Sequence, residues 1–151
     1  MSVLSQKTLA KKISFSGIGI HTGDPVNLNI LPSSPNSGII FKRVDLTENN
    51  IVIPNFENVS DATLCTTISN QHGVKVSTIE HLMAAFLGLG IDNAIVELDS
   101  QEVPILDGSA KDFVKTLKKA GLKESDIPIK LIKINNRIEY QEGNKYISLD
   151  N

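Results

Sequence analysis

Between Ser77 and Leu89 the chain reads STIEHLMAAFLGL, and this stretch constrains the fold more than any other. Ile79, Leu82, Met83, Phe86 and Leu87 recur at helical spacing and predict an apolar stripe on a helix from about Thr78 to Leu89. The remaining side carries His81, Ala84, Ala85 and Gly88, which are mostly small. A helix with almost no polar face has to be packed on both sides, so the chain must supply, or receive, two covering layers.

The rest of the pattern is dominated by strands. Val26, Leu28 and Ile30 alternate with polar residues, as do Ala94, Val96 and Leu98. Gly38 to Val44 and Ile51 to Ile53 read as further strands. Leu64 to Ile68 and Val74 to Val76 flank Asn70-Gln71-His72-Gly73, which reads as a hairpin turn. A second helix is expected from about Ala110 to Ala120, with Ser109 as N-cap, Asp112 in its first turn and Gly121 at its end.

At Lys123 to Pro128 the composition turns polar and meets a proline, which marks a candidate linker. Ile129 to Ile134, Arg137 to Tyr140 and Tyr146 to Leu149 then read as strands with no helix to cover them. The expected division is an α+β domain over 1–124, a linker at 125–128, and over 129–151 the opening strands of a second domain.

With 151 residues, 40% of them hydrophobic, the chain can bury an ordinary core. A net charge of −2 without a basic block argues against nucleic acid or an anionic membrane as partner. Lys115, Lys118, Lys119 and Lys123 cluster, but at a helix end, where they complement the dipole. The single cysteine, Cys65, excludes an internal disulfide and a cysteine-based zinc knuckle. No run is long enough to cross a bilayer, and none resembles a signal peptide, so the expected location is cytoplasmic.

Glu80 and His81 carry the chemistry, and each has two readings. Ser77-x-x-Glu80 fits a capping box, in which Glu80 bonds back to the Ser77 N–H and His81 is a core imidazole. Alternatively His81 ligates zinc and Glu80 acts as general base toward a water. The H-E-x-x-H signature is absent, and a catalytic zinc takes three protein ligands, of which His81 supplies one. His72 falls in the hairpin turn. His21 lies in GIGIHTG (Gly17 to Gly23), either a tight connection between strands or a loop that touches substrate. Glu102 to Ala110, EVPILDGSA, reads as strand, turn and helix cap, or as a loop that delivers Asp107 to a site.

Taken with DATLCTT (Asp61 to Thr67), these stretches resemble the UDP-3-O-acyl-N-acetylglucosamine deacetylases, zinc amidases of lipid A biosynthesis. Their order and spacing fit across nearly the whole chain. The resemblance implies a two-layer sandwich of a mainly antiparallel sheet with two helices, of the ribosomal protein S5 domain 2-like kind. It implies a second similar domain whose helix layer packs on the first, with the site at the junction. It makes Glu80 the general base, His81 the first zinc ligand, and His21, Leu64 and Cys65 substrate-contacting residues. The other zinc ligands, a His and an Asp, and a further His would come from the second domain, which this chain does not contain. The chain is therefore expected to be the N-terminal half of the enzyme and inactive alone. It is also expected to self-associate through the face carrying His81, Ala84, Ala85 and Gly88. A reading from another class is a non-catalytic α+β binding module, with Glu80 a cap and His81 a core residue.

Overall fold

The computed structural model describes residues 4–150. Its centre is a five-stranded sheet of β2 (Ile13–Ile18), β3 (Pro25–Pro32), β9 (Ala94–Leu98), β4 (Ile39–Arg43) and β5 (Ile51–Val52), in that spatial order. Three of its four ladders are antiparallel; β4 and β9 run parallel, in register from Ile39↔Ala94 to Arg43↔Leu98. The alternation seen in the sequence puts Val26, Leu28, Ile30, Phe41, Val96 and Leu98 on the face that is buried.

Two helices complete that core. Helix α1 (Glu80–Leu89) contributes Leu82, Ala85 and Phe86, and α2 (Lys111–Ala120) contributes Phe113, Leu117 and Ala120. The Phe113 ring lies 5.1 Å from that of Phe15 on β2, tilted by 55°. This is the expected α+β two-layer arrangement. Gly121 follows α2 at φ 75°, as expected; the N-cap position is Ala110, one residue later than expected and without a side-chain cap, and the Ser109 hydroxyl accepts from the Lys111 N–H just ahead of the helix.

The helix faces differ from expectation in one respect. Leu87, placed by its spacing in the buried stripe, is 84% exposed, whereas Ala85 is fully buried. The buried arc is centred on Leu82, Ala85 and Phe86, so Ala84, Leu87 and Gly88 form the outward face. One side of α1 is covered and the other is bare.

The polar segment read as a linker is strand β10 (Leu122–Pro128), antiparallel to β1 (Ser5–Leu9). Residues 125–128 fall at its end, where the Gln6 side-chain amide also donates to the Pro128 carbonyl at 3.0 Å. Polar residues suffice there because β10 is mostly exposed and is held by its backbone ladder. The strand expected at Ile129 to Ile134 is not formed among the described residues: beyond the bond from the Ile129 N–H to the Leu4 carbonyl, this stretch has no ladder with them. Among the described residues, strands β11 (Ile138–Glu142) and β12 (Lys145–Leu149) pair only with each other, and Ile138, Tyr140, Tyr146, Ile147 and Leu149 are exposed.

A fourth sheet approaches α1. It holds β6 (Val59–Asp61), β7 (Thr67–Ser69) and β8 (Lys75–Val76). The expected hairpin joins β7 to β8, with the Asn70 side chain accepting from the His72 and Val74 N–H groups. The strand is shorter than predicted: Leu64 to Thr66 lie on the bend before it.

Candidate functional site

The turn from β8 into α1 sets the position of Glu80 and His81. Ser77 donates its N–H to the Gln101 carbonyl, and its own carbonyl accepts from the Val103 N–H, forming a parallel bridge with Glu102. Thr78 then adopts φ 57°, left-handed backbone that a β-branched residue rarely enters. Ile79 is already helical, and Met83 donates back to it.

This geometry removes the capping box. The Ser77 N–H is already bonded to Gln101, so Glu80 does not reach back to it. Instead Glu80 Oε2 accepts from the Thr66 N–H at 3.1 Å, and the Ser77 hydroxyl accepts from that of Thr67 at 3.0 Å. Glu80 and His81 are both half-buried at the start of α1.

Beside this turn lies a cleft of about 480 Å³ whose walls include His21, Leu64, Cys65, Ser77 and Glu102. Three of the residues predicted to contact substrate therefore converge, although 43 positions separate His21 from Leu64 in the sequence numbering. Leu64 is 82% exposed. Cys65 is half-buried, its sulfur 3.7 Å from Thr67 Oγ1. Glu80 adjoins the cleft through Thr66, which lies between two of its lining residues. His81 and Asp107 do not line it, and Asp107 is engaged by the N–H and hydroxyl of Ser109. His72 is exposed at the hairpin tip.

Glu102 is the residue that sequence reasoning missed. Its side chain is fully buried, and its oxygens accept from four groups. They are the N–H of His21, the N–H and hydroxyl of Thr22, and the hydroxyl of Thr78. Burial, the largest single influence, pushes its pKa up. The Thr22 N–H, the Thr78 hydroxyl, the His21 N–H and the Thr22 hydroxyl together outweigh burial and hold it below the ordinary glutamate value. Gly19 is part of the same arrangement: a Cβ there would lie 2.3 Å from Glu102 Oε2. The one signal in the sequence was a glycine-rich loop followed by threonine, which does not name its distant partner.

His81 is a suitable zinc-ligand type, but a catalytic zinc needs about three protein ligands. Among the described residues no three His, Cys, Asp or Glu side chains gather as a metal cage. The donor set within these residues is thus incomplete. No helix among them is long and apolar enough to cross a membrane.

Residues 6–150 match the sequence model of the LpxC family, described as UDP-3-O-acyl N-acetylglycosamine deacetylase. A UDP-3-O-acyl-N-acetylglucosamine deacetylase of Shewanella baltica is 43% identical over 147 residues, which cover 97% of this chain and 48% of the relative. Proteins of the same name from Shewanella denitrificans and Shewanella oneidensis are 44% and 42% identical over the same length. The chain spans about half the length of these curated relatives.

Proposed function

Because this chain belongs to the LpxC family of UDP-3-O-acyl N-acetylglycosamine deacetylases, we propose that it is the N-terminal half of such an enzyme. The complete protein would hydrolyse the N-acetyl amide of UDP-3-O-acyl-N-acetylglucosamine in lipid A biosynthesis, releasing acetate and leaving the free amine. The observation that carries the reading is the convergence of His21, Leu64 and Cys65 on one cleft, with Glu80 held at its edge by Thr66.

In this reading the reaction breaks the acetamide C–N bond and adds the oxygen of water to the acetyl carbon. Glu80 is the base that takes the proton of the attacking water. The Thr66 N–H binds one carboxylate oxygen and fixes the direction of the other. His81 would hold zinc as one ligand, and the remaining ligands would come from the second half of the protein. When bound, zinc would supply the Lewis acidity that polarises an acetamide carbonyl. His21, Leu64 and Cys65 line the way in for the nucleotide-linked, acylated sugar. The bare face of α1, and the apolar residues of the β11–β12 hairpin, are surfaces that the second half would cover.

The test is acetate release from UDP-3-O-acyl-N-acetylglucosamine by the complete protein, with this chain alone as control. Activity from the complete protein that is lost on chelation of zinc is the expected outcome. A complete protein that binds the substrate without deacetylating it would instead support a non-catalytic binding module.

A further inference from the structure

We propose that Glu102 is a positioning residue. Its buried carboxylate holds the His21 loop and the turn into α1 together, so one anion sets the spacing between His21 and the Glu80–His81 pair. The geometry comes directly from its contacts. Oε2 takes the Thr22 N–H and hydroxyl, both at 2.9 Å, and Oε1 takes the Thr78 hydroxyl at 2.8 Å. The His21 N–H is shared between the two oxygens at 3.1 and 3.2 Å.

Three features separate this arrangement from ordinary core packing. First, every ion pair among the described residues lies elsewhere, so the charge is stabilised by hydroxyl and amide donors. Desolvation disfavours a buried anion of this kind, its four donors offset that cost, and an apolar residue would fill the space more simply. Second, one of its donors is Thr78, whose left-handed backbone is itself strained. The Thr78–Glu102 bond restrains that conformation two residues before Glu80. Third, Gly19 leaves the space that the carboxylate occupies. Gly19 is outside the positive-φ set, so the constraint there is lack of room and not conformation.

The lock is independent of which reaction the site performs; its catalytic consequence rests on the deacetylase reading. The first arm of the test therefore uses this chain and amide NMR. Glu102→Gln and Gly19→Ala perturb the anion from opposite sides. Both should move the amide signals of His21 and Thr22 and those of Ile79 to His81. The amides of Asn29 and Ile95, on the sheet, should stay in place. Thr78→Val, nearly isosteric, severs one arm only and should move the Glu80 and His81 amides while sparing those of His21 and Thr22. Unmoved His21 and Thr22 amides in both of the first two variants would overturn the lock.

The second arm uses the complete enzyme. Glu102→Gln should lower kcat about tenfold or more, because the reacting groups lose alignment, with a smaller rise in KM as the His21 loop shifts in the cleft wall. A folded variant with unchanged kcat would overturn the positioning role. A wild-type complete protein without deacetylase activity would instead refute the reaction, leaving the amide arm to decide the lock.

Discussion

The carboxylate of Glu80 is bonded to the backbone N–H of Thr66, 14 positions earlier in the chain, and not to the Ser77 N–H three positions away. The general-base candidate is therefore anchored to the loop that carries Leu64 and Cys65.

Glu80→Gln keeps an acceptor for Thr66 but cannot take a proton. In the complete enzyme kcat should fall by about 10²–10⁴-fold, with the thermal midpoint nearly unchanged. Glu80→Ala should lose the same activity and in addition about 1 kcal/mol of stability, since the Thr66 N–H is left without its partner. Chemical denaturation of the two variants separates the roles. Equal stability of Glu80→Ala and wild type would show that the bond to Thr66 anchors nothing.

Zinc binding by this chain alone should be weak, because one imidazole and an adjacent carboxylate do not make a three-ligand site. Equilibrium dialysis should leave no stoichiometric metal, and His81→Ala should change nothing in that assay. In the complete protein the same substitution should release the zinc. Tight, stoichiometric zinc in the isolated chain would contradict the shared-site reading.

The bare face of α1 should make the isolated chain self-associate. Leu87, not Ala85, is the residue to change, because Ala85 is buried and Leu87 stands in solvent. Sedimentation velocity should show concentration-dependent assembly that Leu87→Glu abolishes. A wild-type chain that stays monomeric at every concentration would count against it.

Acid should loosen the site through Glu102. Its folded-state pKa lies below the ordinary value of 4.5, so its contribution to stability is present above that pH. The contribution is lost as pH falls below 4.5 and through the lower folded value. Asp45, held low by its hydrogen bond to Arg43, follows the same sign and serves as the reference. Stability measured from pH 6 down to about pH 3 should therefore decline less in Glu102→Gln than in wild type. Parallel curves would refute the linkage.

What the sequence disclosed follows from where its signals are local. Periodicity located both helices and the strands β3, β4 and β9, because one buried face leaves a repeating pattern. Gly121 marked the end of α2 by its backbone chemistry, and Ser109 its start to within one residue. Strand β10 was hidden because an exposed strand held by its ladder needs no apolar alternation. The role of Glu80 was misread for a related reason: a capping box is a local motif, while the partner that won, Thr66, reaches it only through the fold. Glu102 was hidden most completely. Its donors come from positions 21, 22 and 78, and no spacing rule links them.

The order of strands in the central sheet has a consequence for synthesis. Strands β3 and β4 follow one another in the chain, yet they are not neighbours; β9 lies between them. Until residue 98 has left the ribosome, the β2–β3 and β4–β5 hairpins have no common strand to join them. The first strand waits longer still, because its ladder partner ends at Pro128. Translation thus delivers this sheet as two loose edges, and its middle strand is the step that makes them one.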